Sequence, residues 1–120
     1  MIYIMNKEII VRTQKELNKI KPDFKGTIYI EGGTYSDPLE LKIAFEYAKV
    51  IVRGDVWVRL RESSHAELWG SSHAELWESS HAELRESSHA ELWGSSHAVL
   101  RESSHAELWE SSHAELRESS

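Results

Sequence analysis

Cysteine is absent from these 120 residues. That removes a disulfide framework and a thiolate metal site together, and it leaves the redox compartment open. No apolar run approaches the length that a membrane span needs. The opening Met1-Ile2-Tyr3-Ile4-Met5 is too short for a signal-peptide core and no basic residue precedes it. Secretion by that route is unsupported and a cytoplasmic location is favoured. Basic residues are scarce in the second half: residues 57–120 carry five Arg against twelve Glu, whereas residues 1–56 carry nine Lys/Arg against eight Asp/Glu. This acidic balance argues against direct binding to nucleic-acid backbones. The chain has the length of one domain with a modest core.

What is abundant is repetition. Histidine recurs at His65, His73, His81, His89, His97, His105 and His113, always eight residues apart. Read from the histidine, the unit is His-Ala-Glu-Leu-(Trp/Arg)-(Gly/Glu)-Ser-Ser. Two diverged units precede it in register, Lys49–Val56 and Trp57–Ser64, so nine octads fill 49–120 without remainder. Within an octad, Ser64, Ala66 and Leu68 fall on one side and His65, Glu67 and Trp69 on the other. Period two is the signature of a half-buried strand. The following Gly/Glu-Ser-Ser supplies a turn, with Gly70 and Gly94 free to take positive φ.

Two other readings compete. Ser64-His65-Ala66-Glu67 has the form of a capping box, but the next Ser pair arrives within two turns, too soon for a stable helix. Abundant Ser and Glu suggest disorder, against which stand a Leu in every complete His-containing octad and frequent Trp. Upstream, residues 1–26 read as a helical cap. Asn6 is its N-cap, the helix runs to Ile20 with Ile9, Leu17 and Ile20 near one face, and Pro22-Asp23 ends it. Thr27–Thr34 repeats the alternation and reads as the first strand, opening a transition segment over 27–48. Within that segment Asp37-Pro38 with Glu40 favours a helix over 35–48, although Leu39, Leu41, Ile43, Phe45 and Tyr47 alternate as a strand would.

A closed coil needs two or three octads. With sixteen residues per coil, one face carries Arg53, Trp69, Arg85, Arg101 and Arg117 at the fifth octad position, and the other carries Arg61, Trp77, Trp93 and Trp109. Tryptophan and arginine then segregate almost cleanly, whereas a twenty-four-residue coil mixes them. Ala and Leu are also small enough for two sheets about 10 Å apart to interdigitate. The expectation is a mainly β fold, a parallel β-solenoid with two octapeptides (16 residues) per coil and an N-terminal α-helical cap.

On its period and its small inward residues the array resembles the short-repeat β-solenoids, a group that includes β-roll and pentapeptide-repeat proteins. The calcium β-roll pattern Gly-Gly-x-Gly-x-Asp does not occur, so the resemblance implies no calcium sites. Roles of pentapeptide proteins, whose period differs, transfer only as analogy.

Stacking turns repeats into ladders. His73, His89 and His105 form one histidine column, and His65, His81, His97 and His113 the other. The first three are weak metal candidates, since a flat ladder encloses no four-ligand geometry; no cofactor is expected. Glu75, Glu91 and Glu107 line one face and Glu67, Glu83 and Glu115 the other, where Arg85, Arg101 and Arg117 relieve the repulsion and Val99 interrupts the column. On the tryptophan face only histidine can help, which predicts that this face loses order as histidines deprotonate above neutrality. A ladder of identical environments supplies no distinct acid and base, so an enzyme is not expected.

Trp77, Trp93 and Trp109, with Arg85, Arg101 and Arg117, are the candidate interface. The alternative is an aromatic strip that merely stiffens the sheet. The array reaches Ser120 with no change of composition, so Leu108 and Leu116 are candidates for end-to-end association. These features predict a non-enzymatic structural and interaction scaffold that self-associates as a homodimer or stack. An acidic DNA-mimic inhibitor of a nucleic-acid enzyme, or a glycan-binding module, are the alternatives. The partner is a second copy, another protein or a glycan, with no membrane.

Overall fold

In the computed structural model, residues 7–117 are described. They form a parallel β-solenoid of two facing sheets. Sheet A orders seven strands: β1 (Lys7–Val11), β2 (Gly26–Ile30), β4 (Ala48–Val52), β6 (His65–Leu68), β8 (His81–Leu84), β10 (His97–Arg101) and β12 (His113–Arg117). Sheet B orders five: β3 (Leu39–Leu41), β5 (Trp57–Leu60), β7 (His73–Leu76), β9 (His89–Leu92) and β11 (His105–Leu108). The chain alternates between sheets at every octad, and all pairings are parallel. His65 pairs with His81, His81 with His97 and His97 with His113, while His73 pairs with His89 and His89 with His105. Each offset in the octad array is therefore 16 residues.

Alternation in the sequence becomes burial. Ala66, Leu68, Ala82, Leu84, Ala90 and Leu92 are fully enclosed between the sheets, and Ser64, Ser72, Ser80, Ser88 and Ser96 are buried with them. The serine ends each turn from the inside. In most turns its Oγ donates to the carbonyl three residues back, as Ser72 to Trp69, Ser80 to Trp77 and Ser88 to Arg85, each at 2.8 Å, whereas Ser64 and Ser96 Oγ find no partner among the described residues. Where that bond forms, the buried hydroxyl is tolerated in this apolar interior because the turn offers an acceptor. The turn's second residue has positive φ whether it is glycine, as Gly70 (67°) and Gly94 (66°), or glutamate, as Glu78 (62°) and Glu86 (60°). Turn geometry thus overrides the preference of a side-chain-bearing residue for negative φ.

The start of the coil departs from expectation in three ways. The helix expected over 6–20 is confined to α1 (Gln14–Asn18), and its N-cap is Thr13; Asn6 lies outside the described residues. Thr13 Oγ accepts from the Glu16 N–H at 3.1 Å, and the Glu16 carboxylate accepts from the Arg12 and Thr13 N–H groups at 2.8 and 3.1 Å. Those backbone donors, Arg12's first, hold the Glu16 carboxyl below its usual range. Residues 7–11, placed within a helical cap by sequence, are instead strand β1, paired with β2 from Lys7↔Gly26 to Val11↔Ile30. The first strand is therefore β1, and the 27–34 segment expected to be first contributes the second, β2. A free edge next to a well-formed strand outweighs weak helix periodicity. Finally, 39–41 is strand β3, aligned with β5 through Leu39↔Val58 and Leu41↔Leu60, not helix; the alternation of Leu39 and Leu41 wins over the Asp-Pro helix-start signal.

The cap still functions as one. Val11, Leu17 and Ile20 are buried over the first coil, with Ile9 packed against them. Gln14 closes the open edge of β3: its Nε2 donates to the Glu40 carbonyl at 3.0 Å and its Oε1 accepts from the Glu40 N–H at 2.7 Å. Upstream offsets are longer than in the octads, 19 residues for Lys7↔Gly26 and 22 for Gly26↔Ala48. Close approach between those layers requires glycine: a Cβ on Gly32 would lie 2.0 Å from the Arg12 carbonyl oxygen.

Candidate functional site

The ionisable and aromatic side chains of the octad point outward, and the strand registry stacks them. On the sheet-B side Trp77, Trp93 and Trp109 form one column. Their centroids are 5.2 and 5.1 Å apart and their planes 7° from parallel. The expected ladder of indoles is present. Arg61 stands at its upstream end, its guanidinium 5.8 Å from the Trp77 ring. Trp77 Nε1 donates to Glu75 at 3.2 Å, whereas Trp93 Nε1 has no partner among the described residues.

The sheet-A side carries the arginines, which are held by glutamates. Arg85 contacts Glu83 at 3.0 Å and Glu67 at 3.8 Å, Arg101 donates to Glu83 at 2.8 Å, and Arg117 lies 3.6 Å from Glu115. Lys49 meets Glu67 at 3.1 Å. Arg85 also covers the Trp69 ring at 4.8 Å. Burial raises the Glu83 carboxyl, but the Arg101 hydrogen bond and the charges of Arg85 and Arg101 prevail and hold it below its usual range. Acid on this side is therefore compensated rung by rung, as the sequence reading anticipated.

Sheet B is different. Glu75 pairs with Arg59 at 3.5 Å, but among the described residues no Lys or Arg reaches Glu91 or Glu107, because tryptophan occupies the positions that arginine holds opposite. Both glutamates are in register with each other. That unequal distribution of cations is the main electrostatic difference between the two sides.

The histidines stack in both columns: His65–His81, His81–His97 and His97–His113 at 5.0, 4.8 and 4.9 Å, and His89–His105 at 4.8 Å. His73 departs from its column. Its ring stacks on Trp57 at 3.9 Å and is tilted 36° to His89. Of the three weak metal candidates, the structure brings together His89 and His105, and it adds Glu107, all ligand atoms lying within 4.8 Å of one another. His73 is not part of that group. Glu107 was legible in principle, since strand residues two apart share a face.

Burial first, and then the neighbouring imidazoles, pull His81 and His89 below the ordinary histidine range. Mutual repulsion among protonated rings outweighs the attraction of Glu83 and Glu115 for His81, and of Glu107 and Glu91 for His89. On the tryptophan face the lowered His89 runs against the expectation that this face loses order above neutrality: a ring that favours its neutral form points to acid as the stressing condition.

Two further surfaces complete the picture. Tyr35, Trp57, Trp93, Arg59, Glu75 and Glu91 line a groove of about 420 Å³ on the sheet-B side. In the last described coil Leu108, Trp109 and Leu116 are 46, 47 and 67 % exposed, while their counterparts Leu76, Leu84 and Leu92 are fully buried. Among the described residues no helix is long and apolar enough to cross a membrane. Comparison with protein families, curated proteins and solved structures finds no match to this chain.

Proposed function

We propose that this protein is a non-enzymatic interaction scaffold that associates with a second copy of itself through its last coil and displays a tryptophan side and an arginine side. The observation that supports the reading is the cluster of Leu108, Trp109 and Leu116, apolar and exposed in the last described coil, whereas Leu76, Leu84 and Leu92 are enclosed. Among the described residues, strands β11 and β12 form the outer edges of their sheets. An uncovered edge with apolar neighbours favours association. The ladders support a structural role: they repeat one environment, whereas acid–base catalysis needs groups whose surroundings drive their pKa values apart. Paired Arg85, Arg101 and Glu83 speak against a nucleic-acid mimic on the sheet-A side, because its acidic row is neutralised.

Sedimentation equilibrium over a wide concentration range tests the reading. The wild-type chain is expected to be a dimer or larger, and Leu116→Glu to shift it to monomer without loss of β-sheet circular dichroism. A wild-type monomer at every concentration overturns it.

The aromatic groove on sheet B favours a second reading, a glycan-binding module. The phenol of Tyr35 and the ring edges of Trp57 and Trp93 offer apolar contact to a sugar, while Glu75, Glu91 and Arg59 suit hydroxyl groups. Titration with a panel of oligosaccharides, repeated with Trp57→Ala and Trp93→Ala, separates this from the scaffold. Sugar binding lost in both variants supports it; no binding to wild type removes it.

A further inference from the structure

We propose that His89, His105 and Glu107 form a binding site for a borderline divalent transition-metal ion of the zinc class, joining strands β9 and β11 on the tryptophan side.

The three groups arise from the octad itself. His89 and His105 are register partners on neighbouring strands, and Glu107 is two residues beyond His105 on the same outward face. Their rings are 4.8 Å apart, and the candidate ligand atoms of all three lie within 4.8 Å. Ligand atoms on one tetrahedral ion sit about 3.4 Å apart, with metal–ligand distances near 2.1 Å. Closure therefore needs inward movement of about 1 Å, and His105 and Glu107 are both exposed and able to supply it. Two imidazoles and a carboxylate leave a coordination position for water. Imidazole selects zinc, nickel and copper over magnesium and calcium, which take all-oxygen sets.

Charge gives an independent argument. Glu91 and Glu107 face each other across the ladder, an unfavourable pairing of like charges. On sheet A the same repulsion is relieved by Lys49, Arg85, Arg101 and Arg117. On sheet B no side-chain cation among the described residues reaches these two carboxylates. A bound divalent ion supplies the missing positive charge and ties the edge strand β11 to β9. The equivalent sheet-A trio, His97, His113 and Glu115, is a built-in comparison: Glu115 there already contacts His97 at 3.9 Å and Arg117 at 3.6 Å.

Isothermal titration of the untagged, chelator-treated full chain with zinc chloride tests the site, with magnesium chloride as the counterpart. Wild type is expected to bind zinc and not magnesium. Both His105→Gln and Glu107→Gln, neither of which removes a core side chain, should weaken zinc by at least about tenfold, and His113→Gln should leave it unchanged. Zinc binding should also raise the thermal midpoint of wild type and not of His105→Gln. Absence of zinc binding, binding of His105→Gln at wild-type affinity, or an equal loss in His113→Gln would each overturn the site. None of these results bears on the oligomeric state, so the scaffold reading stands or falls separately.

Discussion

Gln14 treats Glu40 as a neighbouring strand would. Its carboxamide donates to the Glu40 carbonyl at 3.0 Å and accepts the Glu40 N–H at 2.7 Å, so a side chain on a five-residue helix completes the edge of sheet B. Replacing Gln14 by Ala should lower stability by about 1–2 kcal/mol, the worth of two partly buried hydrogen bonds to backbone. Gln14→Glu should be no better, because the carboxylate keeps the acceptor but faces the carbonyl with no donor. Urea unfolding of the two variants checks this, and a midpoint equal to wild type for both would show that β3 needs no such partner.

Serines that look identical in sequence should behave differently. Ser80 Oγ donates to the Trp77 carbonyl at 2.8 Å, whereas the buried Ser96 Oγ has no partner among the described residues. Ser80→Ala should cost about 1 kcal/mol, and Ser96→Ala should be neutral or slightly stabilising, since a lone buried hydroxyl carries a desolvation penalty. Equal losses in denaturant unfolding would contradict the distinction.

Turn glutamates and the glycines of the first coils lie at opposite extremes of backbone tolerance. Glu102 holds φ at 60°, a conformation that costs a side-chain-bearing residue about 1 kcal/mol or more. Glu102→Gly should therefore raise the thermal midpoint. Gly32→Ala should prevent stable folding or lower the midpoint severely, because its Cβ would overlap the Arg12 carbonyl. Thermal scans of both variants, read for sign before size, decide the matter.

Acid should loosen the solenoid. His81 lies below the ordinary histidine range through burial and then through His65 and His97, so the folded chain binds fewer protons there than the unfolded chain. Its contribution to stability is complete above the unfolded pKa and is lost as pH falls through the folded one. Glu83, also depressed, acts in the same direction at lower pH. The urea midpoint of metal-free protein should fall between about pH 8 and about pH 5, and His81→Gln should flatten the upper part of that fall. A midpoint that rises on acidification would show that carboxylate attraction dominates the imidazole columns.

Much of this was legible in the chain. A strict eight-residue period, an inward Ser-Ala-Leu set and the sorting of Trp from Arg at the fifth position together specify the coil, its two sheets and both outward columns. What escaped reading depends on contacts between segments far apart in sequence. Lys7–Val11 looks helical beside Leu17 and Ile20 and becomes a strand because Gly26–Ile30 offers it an edge. Leu39–Leu41 follows Asp37-Pro38 and is drawn into line by Val58 and Leu60. At the candidate metal site the histidines were evident but Glu107 was not joined to them. His73 was counted among them although Trp57 holds its ring, an attraction no repeat consensus contains. The lowering of His81 and His89 depends on burial and then on ring spacing across strands, which only the fold supplies.

Because successive octads alternate between opposite sides, the array obeys a rule of parity. Gain or loss of two units leaves every downstream residue on its original side, lengthening or shortening the ladders by one rung. Gain or loss of a single unit transposes all that follows, setting indoles beneath guanidinium groups and unpaired glutamates beneath paired ones. Growth by duplication can thus preserve the surface chemistry of this molecule only in steps of sixteen residues.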